Sequence, residues 1–156
     1  MSLPPLAANV RRAAIVSGYF NPLHIGHLDM MESARSLADA LVVIVNNDAQ
    51  QVMKKGKVIT SETDRLRIVE ALAVTDAALV AVDADGSVAA SLEVIRAAYP
   101  DLSLTFCNGG DRSPDADPVP TGESAVCERL GIEMVWGVGG ETKADSSSRI
   151  NDELGM

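Results

Sequence analysis

Short continuous apolar runs alternate with stretches whose apolar residues recur at helical spacing. "AAIVSGY", from Ala13, is the first such run and suits a buried strand. From Gly26 onward, Leu28, Met31, Ala34 and Leu37 fall on one face of a helix. "ALVVIVN", Ala40 to Asn46, is a β-branched run of the kind that lies in a parallel sheet covered on both faces. The polar, lysine-bearing stretch "NDAQQVMKKGKVIT" then reads as a loop over 47–60. "SETD" reads as a capping box, Ser61 facing Asp64, and opens a helix carrying Leu66, Val69 and Ala73. "AALVAV" is a third strand. Val88, Leu92, Ile95 and Tyr99 form a helical stripe stopped by Pro100. "LSLTFCN" is a fourth strand, followed by the turn-rich "NGGDRSPDADPVP". A helix from Thr121 to Leu130 ends at Gly131, "IEMVWGV" is a fifth strand, and a short helix starts near "DSSSRI".

Five strands alternating with helices predict an α/β fold: a Rossmann-like, doubly wound, five-stranded parallel sheet. Residues 1–156 read as one domain, with 1–12 a poorly ordered lead-in. In such sheets ligands bind beyond the carboxyl ends of the strands. The loops 18–27, 47–60, 108–120 and 139–148 all follow strands, so they gather on one edge and bring most of the notable polar residues with them.

Composition narrows the chemistry. The formal charge of −9 repels extended polyphosphates, which argues against a nucleic-acid surface but leaves room for a local nucleotide pocket. The apolar fraction is 47% with only 3% aromatic, so the core is built of Val, Leu, Ile and Ala, with Trp136 in it. Cys107 and Cys127 are too few and too far apart for a disulfide framework or a closed zinc site. They read as buried free thiols of a cytoplasmic protein. No apolar run approaches membrane-spanning length, and "MSLPPLAANVRR" lacks the apolar centre of a secretory signal.

The candidate chemistry centres on "GYFNPLHIGH", residues 18–27, which holds both histidines of the chain. A strand that passes through a glycine turn into a helix leaves backbone N–H groups exposed at the helix start, where an anion is favoured. Gly18 and Gly26 permit close approach, Pro22 stiffens the turn, and His24 and His27 can point at one phosphate. A lone histidine is ordinarily a packed or solvated residue. Both histidines of a chain at one such turn favour a phosphate site.

These residues resemble the H-x-G-H signature of the nucleotidyltransferase superfamily, whose fold is the HIGH-type α/β phosphodiesterase variant of the Rossmann-like sheet. Among its small members the chain is similar to cytidylyltransferase-like enzymes, including glycerol-3-phosphate cytidylyltransferases and heptose 1-phosphate adenylyltransferases. "SETDRLRIVEAL" resembles their E-R-x-x-x-L helix with Arg65 in the arginine place, "YPDLSLTFCNGGDR" their P-D…G-G-D segment, and "SSSRI" their closing S-T-T-x-I. The closing arginine of that pattern is replaced by Glu141, with Lys143 nearby.

The resemblance implies transfer of a nucleoside monophosphate from CTP or ATP to a phosphorylated polyol or sugar phosphate, with release of pyrophosphate. His24 and His27 are then catalytic donors to the phosphates, and Lys55 or Lys57, with Lys54 behind them, is the mobile cation that closes over them. Gly18, Tyr19, Phe20, Asn21, Gly26, Arg65, Gly110, Asp111, Arg112, Ser146, Ser147 and Ser148 contact the nucleotide. Asp111 orients a hydroxyl or a metal-bound water, Arg112 offers planar donors, and the serines serve both as a helix cap and as donors to the β- and γ-phosphates. Magnesium arrives with the triphosphate, no protein metal site is required, and a homodimer is implied. "FNP" also resembles the nicotinamide-mononucleotide and phosphopantetheine adenylyltransferases, the alternative acceptors. A non-catalytic nucleotide-binding sensor is the alternative of another class.

Overall fold

The computed structural model describes residues 3–109 and 122–138. Five strands, β1 (Arg12–Gly18), β2 (Ala40–Val45), β3 (Ala77–Val80), β4 (Ser103–Gly109) and β5 (Glu133–Val138), form one sheet. Its order is β3-β2-β1-β4-β5 and every pairing is parallel. The predicted doubly wound sheet is therefore present, with its topological switch between β1 and β4.

The period-two alternation of the strands divides the core into two layers. On one face Ala13, Ile15, Val42, Ile44, Leu79, Leu104 and Phe106 pack with α4 (Ala89–Ala98) and α5 (Glu123–Leu130) through Leu92, Ile95 and Cys127. On the other, Ala14, Val16, Leu41, Val43, Val45 and Cys107 pack with α1 (Ile25–Arg35) and α3 (Glu62–Ala71) through Met31, Ala34, Leu66 and Val69. All six residues of β2 are buried. Each of its larger side chains contributes about 1.5–3 kcal/mol on leaving water.

Three expectations need correction. The segment 47–60 is not a plain loop, because α2 (Asp48–Lys55) occupies most of it. Its start is a capping box, Asn47 with Gln50, and it closes on Gly56 at φ +80 in the left-handed region. The lead-in is not detached: Leu3, Leu6 and Val10 pack on the core, and the Tyr99 hydroxyl donates to the Pro4 carbonyl at 2.6 Å. Trp136 is only half-buried. Cys107 and Cys127 are buried free thiols as read, and burial pushes each up to about 11, with Glu133 adding to the first and Glu123 to the second. The predicted Ser61 cap is present, its hydroxyl accepting from the Asp64 N–H. Among the described residues no helix is long and apolar enough to cross a membrane.

Candidate active site

The turn from β1 into α1 is built around its own side chains. Phe20 takes a left-handed backbone (φ +53) and buries its ring against Gly18, where a Cβ would stand 2.7 Å from the ring. That packing requires glycine at position 18. The Asn21–Pro22 peptide is cis. Phe20 also meets the His27 ring edge-on, with centroids 4.9 Å apart, a favoured aromatic arrangement.

His24 is the N-cap of α1. Its Nδ1 accepts from the Gly26 N–H at 3.0 Å, and the His27 Nδ1 accepts in return from the His24 N–H at 3.2 Å. This is a capping box made of two imidazoles, and the two rings stack at 3.9 Å between centroids with 27° between planes. The expectation that bare backbone N–H groups would greet the anion is corrected here, because the rings take the Gly26 and His24 N–H groups for themselves. An Nδ1 that accepts carries no hydrogen, so the proton of each neutral ring sits on Nε2. Protonating either Nδ1 would set one N–H against another. Two half-buried rings thus carry two Nε2–H donors side by side at the positive end of a helix.

Arg65 does not stand among these donors. It is 1% exposed, and its guanidinium donates to the carbonyls of Thr60 (2.8 Å), Tyr19 (2.6 Å) and Asn46 (2.7 Å) and to the Asp48 carboxylate (2.7 Å). It lies beneath the turn and ties the ends of β1 and β2 to the starts of α2 and α3. Asn21 makes a second tie, its Oδ1 accepting from the N–H groups of Ile59 (3.2 Å) and Thr60 (2.9 Å). Its Nδ2 is buried without a partner. Through these bonds the segment after α2, which carries Lys57, is fixed to the histidine turn.

Lys54, Lys55 and Lys57 are exposed at the end of α2 and just beyond. The Lys54 ammonium lies 4.6 Å from the centre of the Tyr19 ring, a cation–π contact worth about 0.5–1 kcal/mol at such a site. Lys54, placed behind Lys55 and Lys57 by the sequence reading, thus contacts the turn through the Tyr19 ring. Burial raises the Tyr19 hydroxyl above its ordinary range, Arg65 opposes this and Glu123 adds to it, so the phenol stays neutral.

The sequence reading missed the polar network under α2. Gln50, fully buried, donates to the carbonyls of Asp85 (2.7 Å) and Ser87 (2.8 Å) and accepts from Asn46 and Asn47, while Asn47 donates to the carbonyls of Ala81 and Asp83. The signal was available in "NDAQ", an N-x-x-Q capping pattern at the end of a strand. It also missed Asn108, 2% exposed at the end of β4, whose Nδ2 donates to the Val135 carbonyl at 3.3 Å and whose Oδ1 has no partner. Gly110, Asp111, Arg112, Glu141, Lys143, Ser146, Ser147 and Ser148 lie outside the described residues.

Comparison with known proteins bears on the family and the fold. A family model described as cytidylyltransferase-like matches residues 15–155. Bifunctional protein HldE of Koribacter versatilis is 32% identical over 137 residues, 86% of this chain but 24% of that protein. FAD synthase of Methanothrix thermoacetophila is 40% identical over 88 residues, 56% of this chain and 57% of that one. The chain thus spans about a quarter of the HldE protein it matches. A lipopolysaccharide core biosynthesis protein from Thermoplasma volcanium shares the fold, with a TM-score of 0.58 and 23% identity, covering 86% of this chain and 98% of that one.

Proposed function

The chain belongs to the cytidylyltransferase-like family, and from that premise we propose that it is a nucleotidyltransferase. It moves a nucleoside monophosphate from ATP or CTP to a small phosphorylated polyol or sugar phosphate. A phosphate oxygen of the acceptor attacks the α-phosphorus in line, the bond to the bridging oxygen breaks, and its electron pair leaves with pyrophosphate. Positioning and stabilisation of charge supply the catalysis, so no covalent enzyme intermediate forms.

The observation that carries this reading is the imidazole capping box. Because both Nδ1 atoms are engaged by backbone N–H groups, His24 and His27 act as hydrogen-bond donors through Nε2 rather than as a base through Nδ1. Two adjacent neutral donors at a helix N-terminus suit the oxygens on which charge grows during the displacement. Lys54, Lys55 and Lys57 supply mobile positive charge from the end of α2, with Lys54 resting on Tyr19 before substrate arrives. Magnesium enters as part of the triphosphate substrate, where it neutralises the phosphate oxygens. Among the described residues there is no group of three or more His, Cys, Asp or Glu side chains that could hold an ion. The same proposal includes a homodimer.

Pyrophosphate release, measured with ATP and CTP against a panel of phosphorylated polyols and sugars, tests the reading. Turnover with one acceptor class is expected. A protein that binds magnesium triphosphate yet releases no pyrophosphate with any acceptor would be the non-catalytic sensor instead. The likeness to FAD synthase favours one further acceptor in the panel, FMN, with ATP as donor; nicotinamide mononucleotide and phosphopantetheine complete it.

A further inference from the structure

The sheet splits at its switch point. Pairing between β1 and β4 ends at Ile15 and Phe106, although β1 runs to Gly18 and β4 to Gly109. Over the same stretch β1 stays paired to β2, and β4 to β5. The ladder therefore opens between the two central strands, where a doubly wound sheet takes its ligand. Asn108 occupies this stretch of β4. Opposite it the β4–β5 register shifts: Cys107 faces Val135 and Gly109 faces Val138, so Trp136 and Gly137 stand against one residue. Gly137 accommodates this with φ +71. Such bulges re-aim side chains beside functional sites.

The Asn108 amide is anchored at one end only. Nδ2 donates to the Val135 carbonyl, which fixes the direction of the amide plane, and leaves Oδ1 buried with no partner. An apolar residue of the same shape would remove that unsatisfied acceptor, though it would also remove the donor to the Val135 carbonyl. In the opened part of the sheet, that acceptor is placed to meet a donor on a bound ligand.

We propose that Asn108 Oδ1 accepts a hydrogen bond from the nucleoside of the bound triphosphate, either a ribose hydroxyl or the exocyclic amino group of the base, and so makes Asn108 a specificity-determining residue. This rests on the nucleotidyltransferase reading. A site that hydrogen-bonds a substrate donor rejects the analogue lacking it far more strongly than an apolar pocket rejects a change in size.

The test is titration calorimetry on the full chain with magnesium ATP and CTP, their 2′-deoxy and 3′-deoxy forms, and ITP and UTP, which lack the amino group. In the wild type, loss of one donor is expected to weaken binding tenfold or more. In Asn108→Leu that same analogue and its parent bind equally, while loss of the bond to the Val135 carbonyl lowers the thermal midpoint without unfolding the protein. Asn108→Ala serves as the second variant if the leucine distorts the bulge. The deoxy arm identifies the ribose and the ITP/UTP arm identifies the base. The inference is overturned if the wild type binds every analogue as tightly as its parent, if both variants keep every wild-type discrimination, or if all nucleotides weaken by one common factor. A wild type that binds every triphosphate leaves the functional reading standing in each of those cases. A wild type that binds none removes that reading and this inference together.

Discussion

Replacing Arg65 separates the nucleotide contact that the resemblance implies from the buried strut that the structure shows. As a phosphate ligand it would affect substrate binding and little else. As the buried strut observed, it holds three carbonyls and a carboxylate from four different segments. Its side chain is fully buried, whereas that of Asp48 is 37% exposed, so water partly compensates the carboxylate and the carbonyl bonds carry most of the effect. Each buried carbonyl left unsatisfied costs about 1–3 kcal/mol, and the costs are not additive because one group serves them all. Arg65→Met should therefore lose about 3–5 kcal/mol, the cost of three stranded carbonyls taken as less than additive. With a urea m-value of about 2 kcal/mol/M, the unfolding midpoint falls by about 1.5–2.5 M. That is a large share of the roughly 5–15 kcal/mol available to an ordinary domain. Arg65→Lys keeps the charge but replaces a planar fork with a point donor, so about half of the loss should persist. Urea unfolding of both variants, followed by circular dichroism, gives the answer. If Arg65→Lys unfolds within about 0.5 kcal/mol of wild type while its nucleotide KM rises sharply, the strut argument is wrong and Arg65 touches substrate.

Three further perturbations bear on the same turn and its surroundings. His24→Asn and His27→Asn keep a side-chain acceptor at the capping positions while removing Nε2–H; pyrophosphate release should drop at least about 100-fold with a stability change of about 1 kcal/mol or less. Unchanged turnover in both would refute the donor role. Gly18→Ala puts a methyl group 2.7 Å from the Phe20 ring, and should cost about 1–3 kcal/mol by overpacking and slow turnover through the displaced His27; a thermal midpoint and rate equal to wild type would count against it. Cys107 and Cys127, raised to about 11, are mostly protonated below that pH, so thiol reagents at pH 8 should label them only after unfolding; prompt labelling of the native protein would contradict their burial.

The sheet was legible in the sequence because each strand is a continuous apolar run, and α1, α3, α4 and α5 because each buries apolar residues at helical spacing. Helix α2 gave no such signal. Its buried residues are Gln50 and Gln51, so it is held by hydrogen bonds to the 81–87 segment rather than by an apolar stripe. A hydrophobic-period reading cannot find a helix of that kind, though its caps can. The partners of Arg65 were hidden for a related reason. It shares the buried face of α3 with Leu66 and Val69, and the distant carbonyls that converge on it leave no mark in the local pattern. The orphaned amide oxygen of Asn108 follows from a register shift between strands, which no local pattern encodes.

The histidine turn shows how the parts limit one another. Phe20 fills the space over Gly18 and abuts His27, Asn21 and Arg65 both hold the 59–60 segment, and the rings cap α1 with the atoms nearest the backbone. A histidine that takes up a proton on Nδ1 loses its cap, so base chemistry through that atom would loosen the start of α1 at the moment precise positioning is needed. Donation through Nε2 carries no such penalty, because the cap and the donor use opposite edges of the ring. The cap is therefore kept in the tautomer whose Nε2 offers a donor, which couples the local fold of α1 to one class of chemistry: stabilising negative charge on a substrate oxygen.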